Sequence, residues 1–394
     1  MRVALLTREY PPEVYGGAGV HVEYLARELA SRVELEVHCF GADREGAVAH
    51  SPWDGLGGDA PWAAALQAVS VDLAMAAAVE GVDLVHSHTW YANLGGHLAK
   101  LVHDVPHVAT VHSLEPMRPW KAEQLAGGYA VSSFCERTAL EAADAIVAVS
   151  AEHRRDLLAC YPAVDEARVS VIGNGIDTDE YRPDPATDVL ERYGVDPARP
   201  SVVFVGRITR QKGLAHLLAA APSFDPEAQL VLCAGAPDTP ELAAEIGATV
   251  DRLRETRSSV VWLEQMLSKP EVIQLLSHAT VFVCPSIYEP LGIVNLEAMA
   301  CEAAVVATAT GGIPEVVEDG VTGLLVPFDP VGDALREPRD PRRFASDLAE
   351  RVNALLADPA RARAMGEAGR RRAVERFGWP AIGDQVVGLY RGLV

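Results

Sequence analysis

The strongest constraint on the fold is a regular alternation, along the whole chain, of short apolar segments with longer segments that have helical patterning. The short segments are continuous apolar runs, as expected for parallel strands that are covered on both faces. The alternation therefore predicts two successive sets of βαβ units. The predicted strands cover residues 3–6, 33–40, 83–86, 108–112, 145–149, 169–172, 202–205, 230–233, 260–263, 281–284, 305–307 and 324–326.

Two domains are expected, because a hydrophobic core stops growing well before the 394 residues of this chain. The boundary is predicted within residues 174–200, where Gly and Pro concentrate. A second break is predicted at 377–380, since Pro380 can begin a helix but cannot continue one. The predicted domains are residues 1–175 with a closing helix at 379–394 that packs back on them, and residues 176–378.

The predicted fold class is α/β, with two Rossmann-like doubly wound domains that face a cleft. In such sheets ligands bind where loops leave the carboxyl ends of the strands, and the cleft between the domains is the natural site. The chemistry is therefore expected directly after strands in both domains. Residues 329–343, which are rich in Pro, Arg and Asp, are predicted to form a surface loop.

The formal charge is −21, from 34 basic and 55 acidic residues. This balance excludes general electrostatic binding to nucleic acid or to an anionic membrane, so a phosphorylated partner needs a local cluster of basic residues. No segment has the ~18–20 apolar residues that span a bilayer, and the start of the chain lacks a signal-peptide core. We expect a soluble, cytoplasmic protein. The six cysteines show no paired spacing, so no disulfide framework is predicted.

A glycine-rich loop follows the first predicted strand. Tyr15, Gly16, Gly17 and Gly19 open a helix that is predicted to run to about Ala30. Glycines let the backbone approach a ligand closely, and the start of a helix offers N–H groups to an anion. The alternative is a flexible turn that leads into the helix.

A basic loop follows the predicted strand at 202–205. Arg207 and Lys212 leave the strand end together, and their two positive charges suit a diphosphate. In a chain of charge −21, this is the local basic cluster that a phosphorylated ligand requires. A solvated basic loop is the alternative interpretation, which fits Arg210 best.

Two glutamates bracket a predicted helix start after the strand at 281–284. Glu289 lies in the loop, Pro290 suits the first turn of a helix, and Glu297 lies about two turns further on. The N–H groups at the helix start can receive a phosphate while the carboxylates accept hydroxyls, which suits a sugar nucleotide. These N–H groups belong to Leu291, Gly292 and Ile293. The alternative is a surface glutamate at each position.

Three histidines end neighbouring strands. His86 and His88 share one face of a strand and His112 ends the next, an arrangement that also suits zinc. No further ligand follows at a convincing spacing, so no metal site is predicted, and His86 is interpreted as a packing residue. Residues 112–121, which begin with His112, accumulate polar and basic side chains.

The motifs, in this order and over nearly the whole chain, resemble the retaining glycosyltransferases of family 4. The resemblance rests on Gly16-Gly17, Gly206-Arg207 with Lys212-Gly213, the Glu289/Glu297 pair and the Thr-Gly-Gly-Ile-Pro-Glu segment at 310–315. Residues 6–19 and 112–121 are most similar to an actinobacterial glycogen synthase branch of that family. The resemblance implies the two-Rossmann GT-B fold. It also implies retaining transfer of glucose from ADP-glucose to α-glucose 1-phosphate, which gives α-maltose 1-phosphate for α-glucan synthesis.

The resemblance implies a role for each motif of the second domain. Arg207 and Lys212 are expected to hold the donor diphosphate and to stabilise the leaving ADP. Glu289 is expected beside the hydroxyls of the donor glucose and Glu297 on the nucleotide ribose. The N–H groups of residues 291–293 are expected on the donor sugar and phosphate.

In the first domain, the resemblance implies that the Gly16-Gly17 backbone touches the phosphates. His112 is expected to face the reacting sugar, with its side chain on a hydroxyl and its carbonyl near the anomeric carbon. No metal and no cofactor is implied, because Arg and Lys neutralise the diphosphate. The expected catalytic residues are His112, Glu289, Arg207 and Lys212.

The acceptor is expected in the first domain. Arg118 and Lys121, two cations after His112 in an acidic chain, are predicted to bind the phosphate of glucose 1-phosphate. Glu9 and Tyr15 are further candidate acceptor-binding residues. Tyr15 replaces the Lys that usually precedes the Gly-Gly pair in bacterial glycogen synthases, and this difference argues against glucan elongation.

Three alternatives stay open. One is a glycogen synthase that extends an α-1,4-glucan from ADP-glucose, and a second is a non-hydrolysing sugar-nucleotide epimerase. The third is a non-catalytic sensor of nucleotide sugars. The residues by themselves do not distinguish adenine from uracil or guanine, and they leave a homodimer open.

Overall fold

The computed structural model describes residues 1–14, 16–332 and 336–394, which form two compact units. The first unit comprises Met1–Gly175 and Trp379–Val394, and the second comprises Ile176–Gly378. The first crossing between them falls inside the Gly- and Pro-rich stretch 174–200. The second falls directly before Trp379, at the start of the closing helix.

The first unit is built on a seven-stranded parallel sheet. Its strands are β1 (Arg2–Leu6), β2 (Glu34–Phe40), β3 (Val48–His50), β4 (Leu84–His88), β5 (His107–Val111), β6 (Ala145–Ala148) and β7 (Val169–Val171). Their order across the sheet is β3-β2-β1-β4-β5-β6-β7. The order reverses beside β1, so β1 and β4 flank the switch point where doubly wound sheets bind ligands.

Helices connect these strands. They are α1 (Gly17–Ala30), α2 (Ala63–Ala78), α3 (Trp90–His103), α4 (Lys121–Leu125), α5 (Gly128–Ala142) and α6 (Ala151–Cys160). Helix α1 ends at Ala30, as its sequence predicts.

The second unit repeats this plan with a six-stranded parallel sheet. Its strands are β8 (Ser201–Arg207), β9 (Gln229–Gly235), β10 (Val260–Leu263), β11 (Val281–Cys284), β12 (Ala304–Thr308) and β13 (Gly323–Val326). Their order is β10-β9-β8-β11-β12-β13, so the switch point lies between β8 and β11.

The helices of the second unit follow the same alternation. They are α7 (Asp188–Arg192), α8 (Leu214–Ala220), α9 (Pro240–Thr256), α10 (Lys269–Ser277), α11 (Ile293–Ala300), α12 (Ile313–Val316), α13 (Pro341–Leu356) and α14 (Pro359–Arg376). The chain closes with α15 (Trp379–Arg391), which belongs to the first unit.

The predicted doubly wound α/β class is confirmed, and every predicted strand lies within two residues of its observed bounds. One strand was missed. The three residues of β3 pair with the end of β2, from His38 opposite Val48 to Phe40 opposite His50. They are half-buried or exposed and carry no apolar run, so no pattern in the sequence marks them.

Helix α15 packs on the first unit through an apolar face. Trp379 stacks on Tyr24 of α1, with ring centroids 5.6 Å apart, and Tyr390 is fully buried beside β4. Nε of Arg32 donates to Oδ1 of Asp384 at 2.8 Å on the rim of this contact. These contacts make the last residues of the chain part of the core around β1 and β4.

The predicted loop at 329–343 is shorter than expected. Asp340 caps α13, and its carboxylate accepts from the backbone N–H groups of Arg342 and Arg343. Residues 341–343 are therefore helical, because a capped helix start tolerates Pro341. Residues 333–335 of this segment lie outside the described residues.

Within the described ranges, no helix combines the length and the apolar character that crossing a membrane requires.

Candidate active site

The basic loop of the second unit lies at the carboxyl end of β8. Arg207 is the last residue of that strand, and its Nη1 lies 3.3 Å from Oδ1 of Asp238. The Thr209 hydroxyl accepts from the N–H of Lys212 and caps a short 3-10 turn at Arg210–Lys212. The turn places Lys212 at the same edge of the sheet as Arg207, as the sequence predicts for strand-end residues.

Lys212 and Glu289 form an ion pair at this edge. Nζ of Lys212 donates to Oε2 of Glu289 at 2.7 Å, and the Ser286 hydroxyl donates to the same oxygen at 3.2 Å. Burial opposes the charge on Lys212, but the nearby Glu289 carboxylate outweighs it and raises the pKa of the ammonium group. Glu289 is only 7% exposed. The ammonium group of Lys212 therefore keeps its charge, and the hydrogen bonds hold the two side chains in place.

Two glycines bring the Glu289 loop into position. A Cβ on Gly213 (φ +64°) would lie 2.0 Å from the Pro285 carbonyl, and one on Gly311 (φ +54°) would lie 1.9 Å from the Glu289 carbonyl. The N–H of Gly312 donates to that Glu289 carbonyl at 3.0 Å. Only glycine permits these two close approaches, because a side chain at Gly213 or Gly311 would collide with a backbone carbonyl. The sequence places Gly311-Gly312 in the family motif but gives no sign that the pair supports Glu289.

The helix after Glu289 begins later than expected. Helix α11 starts at Ile293 with Gly292 as its N-cap (φ +96°), so Pro290 precedes the helix and the predicted first-turn position is wrong. Glycine is favoured there because φ +96° lies in the left-handed region, and a Cβ would also lie 2.5 Å from Nδ2 of Asn295. Leu291, Gly292 and Ile293 thus form the approach to the helix and its first residue.

Glu297 lies on α11 and is held by Tyr181, whose hydroxyl donates to Oε1 of Glu297 at 3.1 Å. Burial raises the pKa of Glu297, and the bond from Tyr181 partly offsets this effect. The sequence did not predict Tyr181, because it is 116 residues away along the chain.

In the first unit, Glu9 holds the glycine loop. Its Oε2 accepts from the N–H of Gly16 at 2.9 Å, and a Cβ on Gly19 would lie 2.5 Å from the same oxygen. The donor that the sequence assigned to a phosphate is therefore engaged by a carboxylate, and Gly17 begins α1 directly after it. Tyr15 lies outside the described residues.

His112 follows β5 and contacts a second imidazole. Its Nε2 lies 3.0 Å from Nδ1 of His88 at the end of β4, and the ring of His21 on α1 packs edge-on at 4.8 Å between centroids. Burial lowers the pKa of all three imidazoles, for His21 to about 4 despite the side chain of Asn174. All three are neutral at physiological pH.

His86 has a different environment. Its Nδ1 lies 2.6 Å from the Tyr390 hydroxyl and its Nε2 lies 2.7 Å from Oγ1 of Thr110. Both ring nitrogens are satisfied in the core, which agrees with a packing role.

Arg118 and Lys121 are buried rather than solvated, at 9% and 7% exposure. Nη1 of Arg118 donates to the Ser113 hydroxyl at 3.1 Å, and Nζ of Lys121 lies 5.8 Å above the ring of Tyr91. Nε of Arg118 is buried and has no hydrogen-bond partner among the residues that the structure describes. Two poorly solvated cations in the segment after His112 form an environment that favours an anion.

Two buried carboxyl groups, which the sequence did not predict as important, anchor this segment. Oε1 of Glu136 on α5 accepts from the N–H of Glu115 at 2.8 Å and from the Tyr161 hydroxyl at 2.5 Å. The Ser132 hydroxyl donates to Oε2 of Glu115 at 2.5 Å. Burial, together with repulsion from Glu115, raises the pKa of Glu136 to about 8.

The chain matches two family descriptions. Residues 15–180 match "Glycosyltransferase Family 4", and residues 199–358 match "Glycosyl transferases group 1".

Curated relatives match over the full length. The α-maltose-1-phosphate synthase of Mycolicibacterium smegmatis is 56% identical over 394 residues, which is 99% of both chains. The protein of the same name from Mycobacterium tuberculosis is 54% identical with the same coverage. The D-inositol 3-phosphate glycosyltransferase of Xylanimonas cellulosilytica is 32% identical and covers 95% of this chain and 91% of its own.

Solved structures share the fold. The sucrose-phosphate synthase of Thermosynechococcus elongatus superposes with a TM-score of 0.80 at 26% identity, over 100% of this chain and 98% of its own. The catalytic domain of starch synthase IV from Arabidopsis thaliana, solved with ADP and acarbose, gives a TM-score of 0.72 at 18% identity. It covers 100% of this chain and 99% of its own.

The two doubly wound units and their strand-end sites are those of a GT-B glycosyltransferase. With these matches, the chain belongs to glycosyltransferase family 4. The enzyme class expected from the sequence, a hexosyltransferase, is confirmed. Two full-length relatives, at 56% and 54% identity, are the mycobacterial enzymes called α-maltose-1-phosphate synthase.

Proposed function

We propose that the chain transfers the glucosyl group of ADP-glucose to α-glucose 1-phosphate, with retention of configuration, and releases α-maltose 1-phosphate and ADP. The observation that carries the proposal is the Lys212–Glu289 ion pair at the switch point of the second sheet. It provides one cation for a diphosphate and one carboxylate for sugar hydroxyls at adjacent positions. The full-length similarity to enzymes named for α-maltose 1-phosphate supports the choice of product.

The donor diphosphate is assigned to Lys212 and Arg207. Before the donor binds, each cation has a carboxylate partner, Glu289 and Asp238 respectively. A bound diphosphate brings negative charge to both cations and leaves the Glu289 carboxylate able to accept bonds from the glucose hydroxyls. In the transition state the negative charge on the leaving ADP increases, and fixed cations then stabilise it more than they stabilise the bound donor.

The rest of the donor is assigned to α11 and its approach. Glu297, oriented by Tyr181, suits the two ribose hydroxyls because a carboxylate accepts from both. The backbone N–H groups of Leu291, Gly292 and Ile293 are assigned to the donor sugar and phosphate, since the N–H groups at a helix N-terminus have no partner within the helix.

The acceptor phosphate is assigned to Arg118 and Lys121 of the first unit. The unpartnered Nε of Arg118 and the burial of both side chains support this assignment, because a buried cation gains most from an anionic partner. Glu9 supports the glycine loop through the N–H of Gly16, so we assign it a positioning role there.

The reaction requires one bond to form and one to break at the same face of the sugar. A hydroxyl oxygen of the acceptor glucose bonds to C1 of the donor, while the bond from C1 to the β-phosphate oxygen breaks. The proton of that hydroxyl moves to the departing phosphate oxygen, so the residues need not supply a general base. His112 is neutral and contributes orientation and a hydrogen bond to the donor sugar, and catalysis rests on charge stabilisation and alignment.

Release of ADP under three conditions tests the proposal. We expect rapid release with ADP-glucose plus α-glucose 1-phosphate, and little with ADP-glucose alone or with ADP-glucose plus glycogen. Faster release with glycogen would instead identify a glucan-elongating synthase. Conversion of the nucleotide sugar without an acceptor would identify an epimerase, and no turnover under any condition would fit a sensor.

A further inference from the structure

Three imidazoles from three different elements converge in the first unit. His21 comes from α1, His88 ends β4 and His112 follows β5. One ring nitrogen of each lies within 4.8 Å of those of the other two. The sequence expectation of no metal site considered only His86, His88 and His112. The sequence did not identify His21 as a candidate ligand, because no spacing along the chain connects a helix residue to two strand ends.

Two of the three rings are incompletely hydrogen-bonded. Nδ1 of His21 and Nε2 of His88 are buried and have no hydrogen-bond partner among the described residues. The neighbouring His86 differs, since both of its nitrogens are bonded to Tyr390 and Thr110. Buried polar atoms without partners are rare in folded proteins, so the unpartnered Nδ1 of His21 points to a missing ligand at this cluster. The nitrogen of His88 that faces His112 is Nδ1, so the unpartnered Nε2 of that ring is not assigned to the metal.

The ligand type and the distances suit a borderline divalent metal. Imidazole nitrogen is a suitable ligand for Zn²⁺, Cu²⁺ and Ni²⁺, and each of the three residues offers one such nitrogen. With Zn–N bonds of about 2.0–2.1 Å, two imidazole nitrogens on a tetrahedral ion lie roughly 3.3 Å apart. The His88–His112 pair is already at 3.0 Å, so mainly His21 must move inward.

We propose that His21, His88 and His112 form a binding site for a zinc-class divalent cation, and that the bound ion inhibits glycosyl transfer because it holds His112. Three nitrogen ligands leave a fourth position for water, the arrangement of an open zinc site. The inhibition rests on the role of His112 in the proposed function, whereas metal binding does not depend on it.

Cobalt(II) is the probe for binding, since tetrahedral Co²⁺ absorbs visible light. We expect the full-length protein, first freed of metal with a chelator, to bind one equivalent of Co²⁺ with such absorption, and Zn²⁺ to displace it. His21→Asn and His88→Asn should each lower the affinity at least about tenfold, since even the loss of an outer-shell partner costs that much. Either variant suffices if the other does not fold.

A matched control comes from another buried histidine. Nδ1 of His38 lies 2.9 Å from Nε2 of His50, and Nε2 of His38 lies 2.7 Å from Oε1 of Glu36, so His38 belongs to another group of potential ligands in the first unit. His38→Asn should keep the Co²⁺ absorption. No absorption in the wild-type protein, full affinity in His21→Asn and His88→Asn, or loss of the absorption in His38→Asn would each overturn the metal site.

A separate measurement of ADP release tests whether the bound metal inhibits transfer. Zn²⁺ should lower the rate of ADP release over the same concentration range in which it displaces Co²⁺, and a chelator should restore the rate. If the protein binds Co²⁺ at His21, His88 and His112 but transfers glucose at full rate when Zn²⁺ is bound, the proposed inhibition is wrong. A protein that binds Co²⁺ but does not use these sugars contradicts the proposed function and leaves the metal site supported.

Discussion

At the scale of single residues, the donor site depends on Lys212 and its bond to Glu289. The ammonium group stays protonated because the carboxylate raises its pKa against the effect of burial. A charge held in this way needs no reorganisation when the diphosphate leaves, which is the condition for strong electrostatic catalysis.

Lys212→Ala is therefore expected to lower kcat/KM for ADP-glucose by about 10²–10³-fold, the loss typical of a fixed charge-stabilising donor. Steady-state kinetics of ADP release measure it. Arg210→Ala is the matched control, since Arg210 is an exposed cation two residues away in the same turn. A Lys212→Ala rate close to that of Arg210→Ala would show that Lys212 does not hold the diphosphate.

The corresponding prediction for the acceptor concerns Lys121 and the KM for α-glucose 1-phosphate. A charge-assisted bond to a phosphate contributes roughly 1.5–3 kcal/mol, so Lys121→Ala should raise the KM for α-glucose 1-phosphate by about 10- to 100-fold. The KM for ADP-glucose should change little. Arg137→Ala, at an exposed position on α5, controls for the loss of one positive charge from the first unit. An unchanged KM for α-glucose 1-phosphate would remove Lys121 from the acceptor site.

At the scale of elements, Glu136 of helix α5 anchors residues 112–121, the segment that contains Arg118 and Lys121. Its folded-state pKa of about 8 exceeds the ordinary value of 4.5, so the folded protein keeps a proton that the unfolded chain releases. The unfolded state binds fewer protons in this range. The free energy of unfolding should consequently fall as pH rises from about 4.5 to about 8, and this contribution should not change at higher pH.

Glu136→Gln is expected to flatten this pH dependence, because an amide oxygen can accept the bonds from Glu115 and Tyr161 without ionising. Urea unfolding at several pH values between 5 and 9 measures the effect, which should be a few kcal/mol across the range. Glu141→Gln, at an exposed position on the same helix, should retain the wild-type slope. Equal slopes in all three proteins would contradict a protonated Glu136.

A second prediction at this scale concerns the contact between Gly311 and the loop that carries Glu289. Gly311→Ala combines a strained φ of +54° with a Cβ 1.9 Å from the Glu289 carbonyl. Gly320→Ala is the matched control, because Gly320 has φ +77° but no atom within 4 Å of the added Cβ. A left-handed backbone conformation costs an L-residue roughly 1–2 kcal/mol, so both variants should lose at least that stability.

Only Gly311→Ala should also displace Glu289, and its kcat should fall at least about tenfold if the loop moves by an ångström. Thermal unfolding and kcat, measured on both variants, separate the two effects. Similar kcat values for Gly311→Ala and Gly320→Ala would show that the glycine contact does not position Glu289.

At the scale of the whole molecule, the sequence predicted the framework well because its signals are local. Each apolar run became a parallel strand, and the strand-end positions of Arg207, Lys212 and His112 followed from that alone. Pro380 marked the start of the closing helix for the same reason. These inferences need only the pattern within one segment.

The missing parts depend on contacts between distant segments. The support of Glu289 by Gly311 and the bond of Tyr181 to Glu297 exist only after the sheet has assembled. The burial of Lys121 has the same origin, since its sequence neighbourhood reads as a polar loop. The cytoplasmic location stays a prediction, and the residues leave a homodimer open.

The overall charge of −21 makes these local sites more important. Both proposed substrates are phosphorylated, so the acidic surface does not attract them, and binding depends on a few cations and on helix starts. The central claim about this protein is therefore specific: its acceptor is α-glucose 1-phosphate.

Product analysis by ¹H and ³¹P NMR tests that claim most directly. After ADP-glucose and α-glucose 1-phosphate are mixed with the protein, we predict ADP and a disaccharide phosphate. Its new α-1,4 linkage should carry the donor glucose, and its reducing-end phosphate should still be α-linked. Unreacted α-glucose 1-phosphate beside a lengthened glucan, or beside an epimerised nucleotide sugar, would contradict the account.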